Sequence, residues 1–178
     1  MRIVNVLFGH DFFGGDAERM AHYRSAVAQA CEQANQDPDI LAAGLHFNII
    51  YANSRPDEIR ATLKNPIVAG RRVAAKHRYR NDGRFWMKIR ALILACDYAL
   101  FDVSYRDNEA PFNSNVILEY GVAIGLNKIA RFFGNSRENF KKFLSDQQGY
   151  DFPQYNSLEE LREVVKELLI DYLEAIPQ

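Results

Sequence analysis

The chain has 178 residues and a mass of 20.5 kDa; 48% of its residues are hydrophobic and its formal net charge is −1. This length predicts a single compact domain over residues 1–178, with enough apolar residues for a core. The balanced charge excludes the general basicity of many nucleic-acid-binding proteins and the acidic excess of a disordered tail.

The sequence also limits the protein's location and metal content. It begins with a strand-like stretch that lacks a signal-peptide pattern, and it has no long apolar run, so we expect a soluble, cytoplasmic protein that does not enter a membrane. Cys31 and Cys96 lie in apolar surroundings without a CxxC pair, which predicts buried free thiols. The histidines lack metal-ligand spacing, so we predict no metal site and no bound cofactor.

The first half of the chain alternates strand and helix patterns. The run from Ile3 to Gly9 is apolar and rich in β-branched residues, which is typical of a strand buried on both faces. Asp16 is the predicted N-cap of a helix that runs to about residue 35 and ends at Asp37-Pro38. A second strand is predicted over Leu45–Tyr51, and the range 55–83 predicts a short helix and a loop.

The second half continues this alternation. The predicted elements are a helix over Phe85–Cys96, a strand over Tyr98–Val103, a polar loop over Ser104–Phe112, a helix from about Ser114, a strand over Lys128–Phe133, a helix over Ser136–Ser145, a strand over Tyr150–Phe152, and a final helix that begins at a Ser157 and Glu160 capping box. Such alternation predicts a doubly wound, flavodoxin-like α/β fold: a parallel sheet of about five strands with helices on both faces.

Glu119 is the strongest candidate for chemistry in this sequence. It lies in an apolar helix, and its neighbours three and four positions away include Val116, Val122 and Ala123, so it shares a stripe with core-type side chains. A buried carboxylate is usually paired, hydrogen-bonded or active in a cleft. The alternative is a position on a solvated edge of the helix, and the apolar neighbours favour the cleft.

Other residues are expected at the carboxyl ends of the strands, where ligands bind in such folds. His10 and Asp11 are either an acid/base pair or loop residues that cap backbone groups. Phe12 and Phe13 either stack on a base or pack the loop onto the domain. Asp102 ends the third strand; if it binds no ligand, it caps the following loop.

Basic residues are concentrated between Arg55 and Arg90. This segment contains eleven of the chain's 22 Lys and Arg residues and only three acidic residues. Guanidinium groups bind phosphate oxygens in bidentate geometry, whereas the alternative is a solvated or self-association face. Few aromatic residues interleave with these charges, so we do not expect nucleic acid as a partner. The candidate phosphate ligands are Arg71, Arg72, Arg78 and Arg84.

Two blocks of the sequence resemble a known superfamily. They are Ala95–Ser104 and Asn113–Lys128, and the second has the pattern N-x-N-V-x-x-E-x-G-x-A-x-G-L-x-K. Together they are similar to the nucleoside 2-deoxyribosyltransferases and bacterial TIR-like domains. The stretch Leu7–Phe13 also resembles the first strand and substrate loop of that superfamily.

The resemblance implies a nucleotide or NAD as substrate and Glu119 as the residue that acts at the ribose anomeric carbon. Cleavage of the N-glycosidic bond develops positive charge on the sugar, which a fixed carboxylate in a dry pocket stabilises or captures. Asn113 and Asn115 are implied as substrate-binding members of the motif, and Asp102 as a residue that holds ribose hydroxyls or orients the neighbours of Glu119. The deoxyribosyltransferases carry an aspartate six residues before the glutamate, and Asn113 at this position favours hydrolysis over transfer.

The resemblance also implies a homo-oligomer and a role in bacterial anti-phage defence. The leading hypothesis is therefore an N-glycosidase that cleaves NAD or a nucleotide. A nucleoside 2-deoxyribosyltransferase and a non-catalytic nucleotide-sensing module are the alternatives.

Overall fold

Five parallel strands form the sheet of this protein in a computed structural model, which describes residues 1–10, 13–54, 59, 84–104, 113–135 and 153–176, without the side chains of residues 14 and 84–87. The strands are β1 (Arg2–Gly9), β2 (Leu45–Tyr51), β3 (Tyr98–Asp102), β4 (Ile129–Asn135) and β5 (Gln154–Tyr155). Their order in the sheet is β2-β1-β3-β4-β5, and each neighbouring pair is parallel. This order confirms the predicted flavodoxin-like fold class.

Helices cover both faces of the sheet. Those in the described residues are α1 (Ala17–Asn35), α2 (Pro38–Ala42), α3 (Arg84–Ala95), α4 (Ser114–Gly125), α5 (Leu158–Ile170) and α6 (Tyr172–Ala175), with a short 3-10 turn at Phe13–Gly15. Helices α1 and α5 pack on one face, which we call the α1 face. Helices α3 and α4 pack on the other, which we call the α4 face.

The strands are apolar along their length because both faces of the sheet are buried. Successive side chains point to opposite faces, so Phe8 and Leu100 join the core of the α1 face, whereas Leu7 and Phe101 join that of the α4 face. Burial of each such side chain stabilises the fold by about 1.5–3 kcal/mol.

Helix caps fix where the helices begin. The Asp16 carboxylate accepts a hydrogen bond from the N–H of Arg19 at 3.0 Å, and the Ser157 hydroxyl accepts one from the N–H of Glu160 at 3.1 Å, as predicted. The Glu160 carboxylate accepts from the N–H of Asn156, one residue before the N-cap, at 2.7 Å. The reciprocal half of the capping box is thus shifted by one residue.

Asp37-Pro38 also starts a helix, in addition to ending the previous one. The Asp37 side chain caps α2, and Pro38 is the first residue of that helix. An N–H at this position has no partner within the helix, so its absence in proline costs no hydrogen bond.

The remaining predicted elements agree with the structure to within about two residues where they can be compared. The fifth strand lies just after its predicted range, Tyr150–Phe152, which is itself outside the described residues. The predicted helix over Ser136–Ser145, the loop over 105–112 and all of 55–83 except residue 59 are also outside them.

The sequence also led to predictions about thiols, membrane spans and metal sites. Cys31 and Cys96 are buried free thiols, as predicted. In the part of the chain that the structure describes, no helix is long and apolar enough to cross a membrane. The same residues contain no group of three His, Cys, Asp or Glu side chains placed to hold a metal ion.

Candidate active site

Glu119 lies at the carboxyl end of the sheet, where β1 and β3 pair. Gly9, the last residue of β1, is in register with Phe101 of β3. A Cβ atom added to Gly9 would lie 3.3 Å from Oε2 of Glu119, so the carboxylate reaches the end of β1. The chain winds outward in opposite directions from β1 and β3, and ligands bind at this switch in strand order in doubly wound folds.

The start of α4 fixes the direction of the Glu119 side chain. Asn113 is the N-cap, and its Oδ1 accepts from the N–H groups of Asn115 at 3.1 Å and Val116 at 3.2 Å. Val116 and Ala123 are buried against the sheet, and Glu119 lies on the same stripe with an exposed fraction of 7%. The predicted burial of this carboxylate is therefore confirmed.

Burial changes the acidity of Glu119. Loss of solvent raises the pKa of its carboxyl from 4.5 to about 7, and the positive charge of Lys88 opposes part of this rise. Among the described residues no hydrogen bond contributes to the shift. A carboxyl group with this pKa is about half ionised at neutral pH, where it can exchange a proton or present a negative charge.

Lys88 brings a cation to the same side of the sheet. It lies on α3, half-buried, and its Nζ donates to the carbonyl oxygen of Ser54, just after β2, at 3.0 Å. In the sequence, Lys88 is marked only as one of the eleven basic residues between Arg55 and Arg90. Lys88 lies four and seven residues before Leu92 and Ala95, which are both buried, so it shares a helix stripe with core residues. Glu119 was identified from the same kind of spacing, and this spacing also marks Lys88.

The approach of Glu119 to the end of β1 requires a residue without a side chain at position 9, and Gly9 meets this requirement. A Cβ atom there would lie 2.6 Å from Cδ1 of Phe101, whose ring is fully buried. The bare backbone lets both the Phe101 ring and the Glu119 carboxylate approach the end of β1.

Asp102 faces the opposite side of the sheet, the α1 face. Its Oδ2 accepts from the hydroxyls of Tyr23 at 2.5 Å and Tyr155 at 2.7 Å, and its Oδ1 accepts from the N–H of Ser104 at 3.0 Å. The carboxylate is 1% exposed and connects α1, β3 and β5. The bond to Ser104 is the loop-capping contact named above as one alternative, and the contact with ribose hydroxyls stays a prediction.

His10 and Phe13 also lie on the α1 face. His10 is 5% exposed; its ring lies 5.1 Å from that of Tyr23 and 5.7 Å from that of Tyr51, and Nε2 is 3.4 Å from Nδ2 of Asn53. Phe13, with φ of 59°, packs 5.6 Å from the His10 ring. These three ring contacts hold His10 and Phe13 on the domain.

The other predicted site residues are placed less centrally or lie outside the described part. Asn113 caps α4 and Asn115 is exposed in its first turn. Arg84 begins α3, and its side chain is not among those described. Asp11, Phe12, Arg71, Arg72 and Arg78 lie outside the described residues.

The structure thus separates the predicted set into two groups. Glu119 lies on the α4 face with Lys88, which the sequence analysis missed. His10, Phe13 and Asp102 lie on the α1 face with Tyr23 and Tyr155, which it also missed. Nothing in the sequence marked either tyrosine as a partner of Asp102.

Comparison with known proteins finds a likeness among solved structures. No protein-family model matches the chain, and the search of curated proteins also finds no match. Among solved structures, the chain is similar to a 2-desoxiribosyltransferase from Leishmania mexicana, with a TM-score of 0.40, 14% identity, and coverage of 87% of this chain and 76% of that one. A likeness with this TM-score carries no argument about the function of this chain.

Proposed function

We propose that the protein cleaves the N-glycosidic bond of NAD or of another nucleotide, with Glu119 acting at the anomeric carbon of the ribose. The observation that carries this proposal is a buried carboxyl group whose pKa is raised to about 7, placed at the ligand-binding edge between β1 and β3. Perturbed groups of this kind are concentrated at functional sites.

The chemistry needs one negative charge close to the sugar. As the bond between the anomeric carbon and the base nitrogen breaks, the base leaves with the bonding electrons and the ribose becomes positively charged. A poorly solvated carboxylate stabilises that charge more strongly than water does, or forms a covalent ester with the carbon. Water then attacks the anomeric carbon and, where an ester has formed, displaces the Glu119 carboxylate. The proton lost by water goes to solvent when nicotinamide leaves as a neutral molecule, or to the base when it leaves as an anion, and the products are a free base and a ribosyl hydroxyl.

Lys88 supports the ionised form of Glu119 in this mechanism. Burial alone favours the neutral acid, and the nearby ammonium group lowers the pKa toward the working range. Because its Nζ is held by the Ser54 carbonyl, the cation is fixed near the ends of the strands.

The proposal is tested by measuring base release. Purified protein is incubated with NAD, nucleotides and 2′-deoxynucleosides, and free base is followed by chromatography; a range of protein concentrations is used because the sequence resemblance implies a homo-oligomer. We expect Glu119→Gln to reduce release by about 100- to 1,000-fold, as for loss of a group that stabilises transition-state charge. Glu167→Gln, the same change at an exposed position of α5, is the matched control.

Each competing function gives a different result in this assay. Release only when a second base is added indicates a deoxyribosyltransferase. Binding without release, retained in Glu119→Gln, indicates a nucleotide-sensing module. Release that Glu119→Gln leaves unchanged contradicts the proposal.

A further inference from the structure

A cavity that we call the α1 recess lies at the same end of the sheet as Glu119, but on the α1 face. Its volume is about 240 Å³, and it lies between the ends of β3, β4 and β5 and the first turns of α1 and α5. Pockets that enclose a whole drug-sized ligand have about 300–1,000 Å³. The α1 recess therefore has room for one ring system with its substituents, and not for an entire dinucleotide.

Its apolar walls are aromatic and held in place. Phe13, Tyr23 and Tyr155 line the cavity, and each is at least nine-tenths buried. The two tyrosine hydroxyls donate to Asp102, and the Phe13 ring lies 5.1 Å from that of Tyr23. Fixed aromatic rings offer surfaces on which a planar base can stack without loss of side-chain freedom.

The polar part of the lining suits a base edge and a phosphate. Asn135, at the end of β4, is half-buried, and an amide side chain both donates and accepts, as the edge of a nucleobase does. Arg19 lines the cavity from the first turn of α1 and is exposed, so its guanidinium lies at the mouth. Guanidinium groups bind phosphate oxygens in bidentate geometry.

The α1 recess and Glu119 lie on opposite faces of the sheet, at the same end of β3. Phe101 pairs with Gly9 beside the Glu119 carboxylate, and Ser104, three residues further along the chain, lines the recess. At ~3.3 Å per residue, Phe101 and Ser104 lie about 10 Å apart along the chain. A substrate that consists of two nucleotide halves joined by a pyrophosphate can extend around the strand ends over such a distance.

We propose that the α1 recess is a subsite for the base and phosphate of the distal half of a dinucleotide whose scissile ribose lies at Glu119. The inference rests on the proposed function for the position of the scissile bond. The α1 recess itself is defined without reference to Glu119. Because a mononucleotide has no distal half to bind in the recess, a dinucleotide of the NAD type is the preferred substrate over a mononucleotide with the same scissile bond.

The test compares NAD with nicotinamide mononucleotide, which has the same bond to nicotinamide but lacks the distal half. We expect kcat/KM to be higher for NAD, and Arg19→Gln and Asn135→Ala each to reduce this preference by about tenfold, which corresponds to ~1.4 kcal/mol. Arg90→Gln is the matched control, since Arg90 is an exposed arginine of α3 and does not line the recess. We expect it to keep the wild-type preference.

A binding measurement separates the subsite from the reaction. Adenosine 5′-monophosphate, which has no nicotinamide, is titrated into the wild type and Arg19→Gln by calorimetry. If the protein releases no base but binds this probe at least tenfold more weakly in Arg19→Gln, the proposed function fails and the subsite stands. If both substrates are cleaved with equal kcat/KM and Arg19→Gln does not change probe binding, the subsite is overturned and the proposed function stands.

Discussion

Two buried carboxylates lie at the same end of the sheet, on opposite faces, and they differ in their partners. Asp102, on the α1 face, accepts hydrogen bonds from two tyrosine hydroxyls and one backbone N–H. Glu119, on the α4 face, has its pKa raised to about 7 by burial, and Lys88 is the charge that opposes the rise.

The comparison shows that depth of burial does not decide what a carboxylate does. The exposed fractions are 1% for Asp102 and 7% for Glu119. A carboxylate whose oxygens are satisfied by fixed donors is part of the framework, because removing it leaves those donors unpaired. A carboxylate that burial deprives of solvent is stabilised when a positive charge develops beside it, which is the condition for catalysis.

The largest expected effect on stability comes from removing Asp102. Asp102→Ala leaves two buried tyrosine hydroxyls without their acceptor, and we expect the free energy of unfolding to fall by about 2–6 kcal/mol, at 1–3 kcal/mol for each hydroxyl. Urea unfolding measures this loss. Tyr51→Phe, which removes a half-buried hydroxyl bonded to the Arg24 carbonyl at 3.2 Å, is a control with a smaller expected loss.

The opposite outcome would change the role of Asp102. Full stability in Asp102→Ala together with loss of base release would place the residue in contact with substrate, as one sequence-based alternative has it. Asp102→Asn, which retains one acceptor oxygen, allows the same comparison if the alanine variant does not fold.

Glu119 should make stability depend on pH in the direction expected of an acid with a raised pKa. The folded state binds its proton more tightly than the unfolded state, so the wild type loses stability relative to Glu119→Gln as pH rises from 4.5 to about 7. The total change is on the order of 3 kcal/mol. Urea unfolding over a pH series measures it, and a constant difference between the two proteins would mean that Glu119 is solvated.

Two glycines near Glu119 provide a matched pair of substitutions. Gly9→Ala brings a Cβ atom to 2.6 Å from the buried Phe101 ring, and such overpacking costs about 1–3 kcal/mol. Gly121→Ala, on the exposed side of α4 with no atom within 4 Å of the new Cβ, should be neutral or stabilise the helix by up to about 1 kcal/mol. Thermal unfolding compares the two; equal effects would contradict the close packing at the end of β1.

Lys88 is expected to have the smallest effect, seen in the pH profile of base release. Activity that needs ionised Glu119 rises with pH through about 7, and Lys88→Met moves this rise to higher pH because the cation lowers the pKa. At pH values below this rise, we expect Lys88→Met to release base about tenfold more slowly than the wild type. Lys88→Arg should restore the profile, and an equal loss at every pH would instead show that Lys88 binds substrate.

Local sequence patterns predicted much of this fold. The apolar runs at β1 and β3 are strands because a parallel sheet buries both faces, and Ser157 caps its helix because the hydroxyl is adjacent to the N–H that it accepts from. The extension of the chain beyond Asp37-Pro38 into α2 was missed, since proline ends one helix and begins another with equal ease.

The partners of the site residues were not predictable in the same way. Tyr23 and Tyr155 lie 79 and 53 residues from Asp102 along the chain, and no local pattern connects them. His10 and Glu119 were expected at one rim, and both lie at the carboxyl end of the sheet. They lie on different faces, because His10 packs on Tyr23 of α1, whereas Glu119 belongs to α4, which covers the opposite face.

The sequence by itself predicted that Glu119 is buried, because the spacing of a helix places it beside core-type neighbours. Only the tertiary structure decided that Lys88 is its counter-charge and that Asp102 is held by two tyrosines, because contacts between distant segments depend on strand order and helix placement. Helical periodicity is a local property, whereas the partners of a buried charge are chosen by the packing of the whole domain.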